Sequence, residues 1–109
     1  MNNEYGAKIG KNGYAESILQ TDLSRCYLCG RSNCKLDRHE AIGSAYRQKS
    51  KRYGLWLMLC HDSCHLGALG AHMNADTALR LKQDAQRKAM QHYGWTTDDF
   101  IREFGKNYI

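Results

Sequence analysis

The strongest periodic pattern of apolar residues lies in the C-terminal third of the chain. From residue 75 to residue 93, apolar side chains recur at helical spacing with charged residues opposite, which predicts a long amphipathic helix. The apolar stripe consists of Ala78, Leu81, Ala85, Ala89 and Tyr93. Asn74 or Asp76 can cap the start of this helix, and Gly94 can end it in the left-handed conformation.

A second, shorter helix is predicted to follow directly. Thr96 with Asp99 three residues later has the spacing of a capping box. Trp95 can pack onto Phe100 as a hydrophobic staple, and Gly105 can end the helix. The apolar face would consist of Phe100, Ile101 and Phe104. We expect both helices to form a packed scaffold for the rest of the domain.

Two short segments upstream predict β-strands. Residues 36–42 alternate between two faces, so that Asp37 and His39 share one face while Arg38 points the other way. The apolar run at residues 55–59 predicts a buried strand that leads directly to Cys60.

The remaining segments indicate the domain organisation. Residues 1–13 are polar and contain three glycines, which predicts a mobile N-terminal arm. Residues 14–109 have a length suited to one domain. Within it, residues 14–20 predict a helical turn that packs on the core, and residues 43–54 predict a polar, basic connection.

Four of the five cysteines form two close pairs, Cys26-x2-Cys29 and Cys60-x3-Cys64. Thiolates in two clusters about thirty residues apart are the usual sign of a tetrahedral, structural zinc site. Because the second pair is separated by three residues, His65 could replace Cys64 as a ligand, and Cys34 is a further candidate. A metal would add stability to a domain of this size, whose core is modest.

The positive charge is concentrated in one segment. The chain carries a net charge of +5. Residues 31–52 contain seven basic residues and only two acidic ones, Asp37 and Glu40, so this segment alone accounts for the net charge of the whole chain. A focused basic segment suits a polyanion such as nucleic acid, whereas a solvated loop is the alternative explanation.

Cysteine usage and hydropathy indicate the compartment. Close cysteine pairs beside a histidine argue against a disulfide framework, and residues 1–13 lack the apolar run of a signal peptide. The longest apolar run, residues 55–60, is far too short to span a membrane. We therefore expect a cytoplasmic protein without a membrane partner.

Two histidines are candidates for chemistry, His39 on the first predicted strand and His65 after the second cysteine pair. Hydrolysis of a phosphodiester needs a base to activate water and a cation to offset charge on the phosphorane. A neutral imidazole can act as the base, and another can hold a divalent cation. A lone histidine is more often structural, and we interpret His61 and His92 in that way.

The cysteine pairs and several short motifs together resemble the small HNH nucleases of phages and prophages. The resemblance covers residues 17–109. The motifs are Asp37-Arg38-His39-Glu40, Tyr53-Gly54-Leu55 leading to Leu59-Cys60, Cys64-His65, Ala71-His72-Met73-Asn74, and the closing residues 100–109.

This resemblance implies an α+β fold with a zinc-stapled ββα-metal (His-Me finger) core and C-terminal helices. It implies that His39 is the general base, that His65 binds a catalytic cation at the start of a helix, and that His72 is a second ligand. Asp37 is a further candidate ligand for that cation, which would be Mg²⁺ or another divalent ion. The residues expected to contact DNA phosphates are Arg38, Arg47, Lys49, Lys51 and Arg52.

The chain also departs from the family pattern at two positions. Arg38 stands where many HNH proteins carry a cation-binding Asp or His, and Leu55 stands where the middle Asn is expected. The first hypothesis is a phage-encoded, metal-dependent DNA endonuclease that works in the bacterial cytoplasm, with replication or recombination proteins as partners. The second is a non-catalytic zinc-ribbon module that binds DNA or protein, and a third is a redox-active dithiol protein.

Overall fold

The computed structural model describes all 109 residues and confirms the α+β class: a two-stranded antiparallel sheet is combined with helices. In chain order the elements are β1 (Leu36–Glu40), a 3-10 turn (Ser44–Tyr46), α1 (Arg47–Arg52), β2 (Trp56–Cys60), a π-helical turn (His61–His65), α2 (Ala75–Tyr93) and α3 (Thr97–Phe104).

The two strands lie where the sequence predicts them, at residues 36–42 and 55–59, with small changes in their bounds. β1 ends two residues earlier, at Glu40, and β2 is shifted by one residue. The antiparallel register places Leu36 opposite Cys60. This pairing brings the beginning of β1 to the second cysteine pair.

The structure confirms both C-terminal helices and their caps. The Asn74 side chain accepts a hydrogen bond from the backbone N–H of Thr77 at 3.0 Å, and Gly94 ends α2 with a φ of 71°. Thr96 and Asp99 form the predicted reciprocal capping box at the start of α3. None of the helices has the length and apolar character needed to cross a bilayer.

Two apolar clusters make up the interior, and β2 with its flanking residues contributes to both. The first cluster joins the two C-terminal helices to the α1–β2 connection and contains Ala41, Ile42, Tyr53, Leu55, Ala85, Ala89, Trp95, Phe100 and Phe104. The second lies beneath the cysteines and contains Cys26, Leu57, Leu59, Cys60, Ala71 and Leu81. α2 therefore connects the scaffold to the cysteine-rich end of the molecule.

The helical turn predicted for residues 14–20 is wrong. This segment is irregular and bends at residues 18 and 19. Its backbone bonds to distant residues: Ala15 N–H donates to the Lys51 carbonyl and Ile18 N–H to the Gly54 carbonyl, both at 2.9 Å. These non-local bonds replace the local bonds of a helix. Ile18 still packs against the first apolar cluster, as predicted.

Gly54 permits this close approach of two backbone segments. It has a φ of +74°, and a Cβ atom added there would lie 2.2 Å from the carbonyl oxygen of Glu16. Only glycine fits a position that combines this conformation with this contact.

The prediction that residues 43–54 form only a polar connection is also wrong, because the segment contains the 3-10 turn and α1. Ser50 is completely buried there, and its hydroxyl donates to the Ile42 carbonyl at 2.6 Å. A polar residue thus occupies the inward face of α1, so the sequence shows no apolar stripe.

Residues 1–13, for which the sequence predicts a mobile arm, have specific contacts with the domain. Asn3 is 5% exposed, and its amide donates to the Arg52 carbonyl at 3.0 Å. The Glu4 carboxylate accepts hydrogen bonds from the guanidinium of Arg52 and the hydroxyl of Tyr53. The hydrogen bond from Arg52 has the larger effect and the one from Tyr53 the next largest, and both hold the pKa of Glu4 below its ordinary value.

Candidate functional site

The four paired cysteines converge. The Sγ atoms of Cys26, Cys29, Cys60 and Cys64 all lie within 4.8 Å of one another. The fourth member is Cys64 rather than His65, which turns toward a different cluster. Four thiolates at one point form a donor set that can hold a structural metal such as zinc, because no coordination position is left for water.

Tight backbone turns bring the first pair into this position. Cys26 N–H donates to the Arg31 carbonyl, and Gly30 N–H donates to the Cys26 carbonyl, each at 2.9 Å. Gly30 has a φ of +77°, which favours glycine. Tyr27 N–H bonds to the Met58 carbonyl of β2, which fixes this turn against the sheet.

The second pair is positioned by the end of β2 and by the π-helical turn. Cys60 is the last residue of the strand, and Cys64 lies within the turn. The chain then folds back closely: a Cβ atom on Gly70 would lie 2.6 Å from the Ser63 carbonyl oxygen. The absence of a side chain at Gly70 therefore allows the loop after the turn to pack beneath Cys64.

Backbone amides surround the sulfur of Cys26. Burial raises the pKa of this thiol, but hydrogen bonds from backbone amides, including that of Cys29, outweigh burial and lower the pKa to about 6. A thiolate is the form that binds a metal. The local backbone therefore prepares this sulfur for metal binding.

Three histidines form a second cluster beside the cysteines. Nitrogen atoms of His39 on β1, His65 in the π-helical turn and His72 in the following loop lie within 4.8 Å of one another. The Nε2 atoms of His65 and His72 are 2.9 Å apart. Three imidazole nitrogens that converge in this way can bind a divalent metal ion.

The surroundings of His65 differ from the prediction in one respect. The resemblance implied a position at the start of a helix, but His65 ends the π-helical turn, and α2 begins only at Ala75. The loop between them carries His72, whose backbone N–H bonds to the His65 carbonyl at 3.2 Å. This backbone contact holds the two imidazoles side by side.

Asp37 orients two imidazoles and lies outside the three-histidine cluster. Its Oδ2 atom is 2.9 Å from Nδ1 of His65 and 2.5 Å from Nδ1 of His61. A carboxylate bonded to Nδ1 keeps the proton on that nitrogen and leaves the Nε2 lone pair available for a metal. Asp37, predicted as a candidate ligand, is therefore placed to support the ligand His65, and His61 shares the same carboxylate.

His39 is held in its neutral form. Burial, followed by the charges of His65 and His72, lowers the pKa of His39 to about 4. The ring makes edge contacts with both neighbours, with centroid distances of 5.2 Å. A neutral imidazole at physiological pH has a lone pair that can accept a proton from water.

The histidine cluster lies at the wall of a cleft of about 460 Å³. Three cationic side chains also line this cleft: Arg38, Arg47 and Lys82. Arg47 is neutralised by the largely buried Glu40, with which it forms an ion pair. Lys82 lines the cleft and forms no ion pair, and its Nζ lies 5.5 Å from the ring centroid of Tyr108.

Lys82 is not among the residues that the sequence predicts for the site. This residue follows Ala78 by four positions on α2, so both side chains lie on the same face of the helix, and both line the cleft. Ala78 belongs to the predicted inward stripe, which was the available signal. The pattern places charged residues opposite that stripe, so the lysine itself gives no signal.

The structure divides the predicted DNA-binding residues into two groups. Arg38 and Arg47 line the cleft. The other three lie elsewhere: Lys49 bonds to the carbonyl of Glu103, Lys51 lies over the ring of Tyr14, and Arg52 pairs with Glu4.

Arg38 packs on aromatic rings. Its guanidinium carbon lies 4.2 Å from the ring centroid of Tyr14 and 4.6 Å from that of Trp56. A cation over aromatic faces is stabilised without losing its charge. Arg38 therefore contributes positive potential at the rim of the cleft.

Comparisons with protein-family models, with curated proteins and with solved structures found no match to this chain.

Proposed function

We propose that this protein is a metal-dependent, HNH-type endonuclease that hydrolyses DNA, encoded by a phage or prophage and acting in DNA processing. The observation that carries the proposal is the convergence of His39, His65 and His72 at a cleft lined by cationic side chains. A proton acceptor, a candidate cation site and positive charge next to one another are what phosphodiester hydrolysis requires.

In this proposal the residues of the chain have separate roles. His39 accepts the proton of the attacking water, because its ring nitrogen lies at the cleft beside the candidate cation ligands. Lys82 holds the phosphate oxygens in the cleft, and Arg38 adds positive potential at its rim. Asp37 holds His65 in the tautomer that offers Nε2.

His65 and His72 would hold a divalent transition-metal cation such as Ni²⁺, because imidazole nitrogens suit such ions better than Mg²⁺, which prefers oxygen ligands. When bound, this cation would offset the negative charge that develops on the phosphate and on the leaving oxygen. The four-cysteine group has a separate task, which is to hold the π-helical turn that carries His65 against the end of β2 and the turn of residues 26–29.

The test is a plasmid-nicking assay across Mg²⁺, Mn²⁺ and Ni²⁺ with the His39→Ala variant. Because a general base contributes about 100- to 10,000-fold, we expect His39→Ala to reduce nicking by that factor. His92→Ala is the matched control, since His92 is exposed on α2 outside the cleft. Metal analysis of the same samples should give one zinc per chain for each protein.

Nicking by His39→Ala at the wild-type rate would defeat the assignment of the base. If the variant instead loses affinity for the divalent cation, His39 is a third ligand rather than a base. Calorimetric titration of the cation into the zinc-loaded variant distinguishes these roles.

Arg38 favours a second candidate, a non-catalytic zinc module that binds nucleic acid. This residue occupies the place of a cation ligand and is engaged with Tyr14 and Trp56. Such a module would bind DNA with a steep dependence on salt and would cleave nothing in any of the three cations.

A further inference from the structure

Cys34 lies outside the four-cysteine group but in contact with one of its members. Its Sγ atom is 2.8 Å from Sγ of Cys60, closer than the 3.4 Å between Cys29 and Cys60. All five cysteines are free thiols. Cys34 is half-buried and precedes Leu36, the strand partner of Cys60, by two residues, so strand pairing keeps the two thiols together.

We propose that Cys34 is an oxidation site, which forms a disulfide with Cys60 and thereby releases the metal from the four-cysteine group. The inference depends on metal binding by these four cysteines and is independent of nuclease activity. Its physical basis is the short distance between a thiol outside the donor set and a sulfur inside it.

The distribution of thiols determines which one reacts first. In the metal-loaded protein the four sulfurs of the donor set are engaged, and Cys34 is the remaining thiol. A hydroperoxide oxidises a free thiolate more readily than a metal-bound thiolate, since the lone pairs of the bound sulfur are engaged. Cys34 is therefore the expected first target.

The proposed reaction has two steps. The Cys34 thiolate attacks one oxygen of hydrogen peroxide, the O–O bond breaks, and a sulfenic acid forms as hydroxide leaves. The Cys60 thiolate then attacks the Cys34 sulfur, forms the S–S bond and expels a second hydroxide. Two thiols are oxidised in total, and one peroxide is reduced to two waters after both hydroxides take up protons.

Disulfide formation would remove one of the four ligands. The sulfurs need only approach from 2.8 Å to the bond length of about 2.05 Å, so the fold can accommodate the bond with a small movement. Three thiolates hold zinc less tightly than four, and the closed site opens to water. Metal release would follow and would loosen the turn next to His65.

The experiment treats the zinc-loaded protein with hydrogen peroxide and follows zinc release with a chelating dye. We expect release from Cys34→Ser and Cys34→Ala to be several-fold slower than from the wild type. Both variants should still bind one zinc per chain before oxidation, because the donor set does not include Cys34. Circular dichroism checks that they remain folded.

Peptide mapping identifies the disulfide. After alkylation of free thiols, trypsin separates the cysteines into three peptides: residues 26–31, residues 32–35 and residues 53–80. We expect the second peptide, whose only cysteine is Cys34, to be linked to the third through Cys60, with Cys64 alkylated. Fragmentation of the linked peptide distinguishes Cys60 from Cys64.

Three results would overturn the proposal. One is equal rates of zinc release from the wild type and both variants. Another is a disulfide that joins the peptide of residues 26–31 or that uses Cys64 in place of Cys60. The third is loss of stoichiometric zinc from Cys34→Ser before oxidation, which would make Cys34 a ligand. None of these results bears on DNA cleavage, which the His39→Ala assay tests separately.

Discussion

The role assigned to Asp37 leads to a sharp prediction about cation affinity. Replacing Asp37 with Asn keeps the size of the side chain but removes the charge that holds the Nδ1 protons of His65 and His61. The His65 ring is then free to exchange tautomers, and its Nε2 lone pair is available for a cation in only part of the molecules.

The magnitude follows from the geometry. Loss of a carboxylate behind a metal-binding histidine reduces metal affinity by about 10- to 100-fold, or about 1.4 to 2.7 kcal/mol. The side chains of Asp37 and His65 are only 20% and 15% exposed, so water replaces the lost carboxylate poorly. We therefore expect a loss toward the upper end of that range.

The assay is calorimetric titration of Mn²⁺ into zinc-loaded protein, with nitrogen-15 NMR of the histidine rings as a second measurement. Asp62→Asn is the matched control, because Asp62 is fully exposed and its carboxylate lies 3.8 Å from Nε2 of His61 without contacting His65. We expect this control to bind Mn²⁺ nearly as the wild type does.

An Asp37→Asn protein with wild-type Mn²⁺ affinity and an unchanged His65 tautomer would refute this reasoning. Loss of zinc from the same protein would indicate instead that the substitution disturbs the whole cysteine-rich end. Zinc analysis before each titration separates that outcome from a specific effect on His65.

Three further predictions concern charge, backbone conformation and pH. Lys82→Ala should weaken DNA binding and reduce the salt dependence of binding by the equivalent of about one phosphate contact. Lys88 is exposed on the same helix, and Lys88→Ala should change both quantities little. Fluorescence anisotropy across a salt series measures both variants. Gly94→Ala should destabilise the domain by about 1–2 kcal/mol, the cost of a left-handed conformation, because the space around Gly94 is open. Gly54→Ala should cost more, because its Cβ atom would also clash with the backbone of Glu16. Urea unfolding that gives equal losses of stability for the two variants would contradict this prediction. Glu4→Gln should lower the stability of the fold at neutral pH. The difference from the wild type should vanish as the pH falls through the lowered pKa of Glu4, because the ionised carboxylate stabilises the folded state and is lost on protonation. Thermal unfolding across acidic pH measures this difference.

The C-terminal helices could be predicted almost to the residue. Their signals are local: an apolar stripe at helical spacing, a capping box at Thr96 and Asp99, and glycines at positions that adopt a positive φ. Side chains and backbone within one helix decide these features, so neighbouring residues contain the required information.

The N-terminal half shows the opposite behaviour. The irregular segment at residues 14–20 is held by backbone bonds to Lys51 and Gly54, and the buried Ser50 of α1 bonds to the carbonyl of Ile42. These partners lie outside the segments that they bond to, and they meet them only in the folded chain. Local propensity therefore predicts the wrong element in both places.

The amino-acid sequence by itself determined the two cysteine pairs, the two strands and the two capped helices, because each depends on spacing within a short segment. Only the tertiary structure decided that Cys64 joins the sulfurs while His65 turns to His72, and that Lys82 faces the cleft. The reason is that these positions depend on how segments distant in sequence pack together, and spacing along the chain does not describe directions in space.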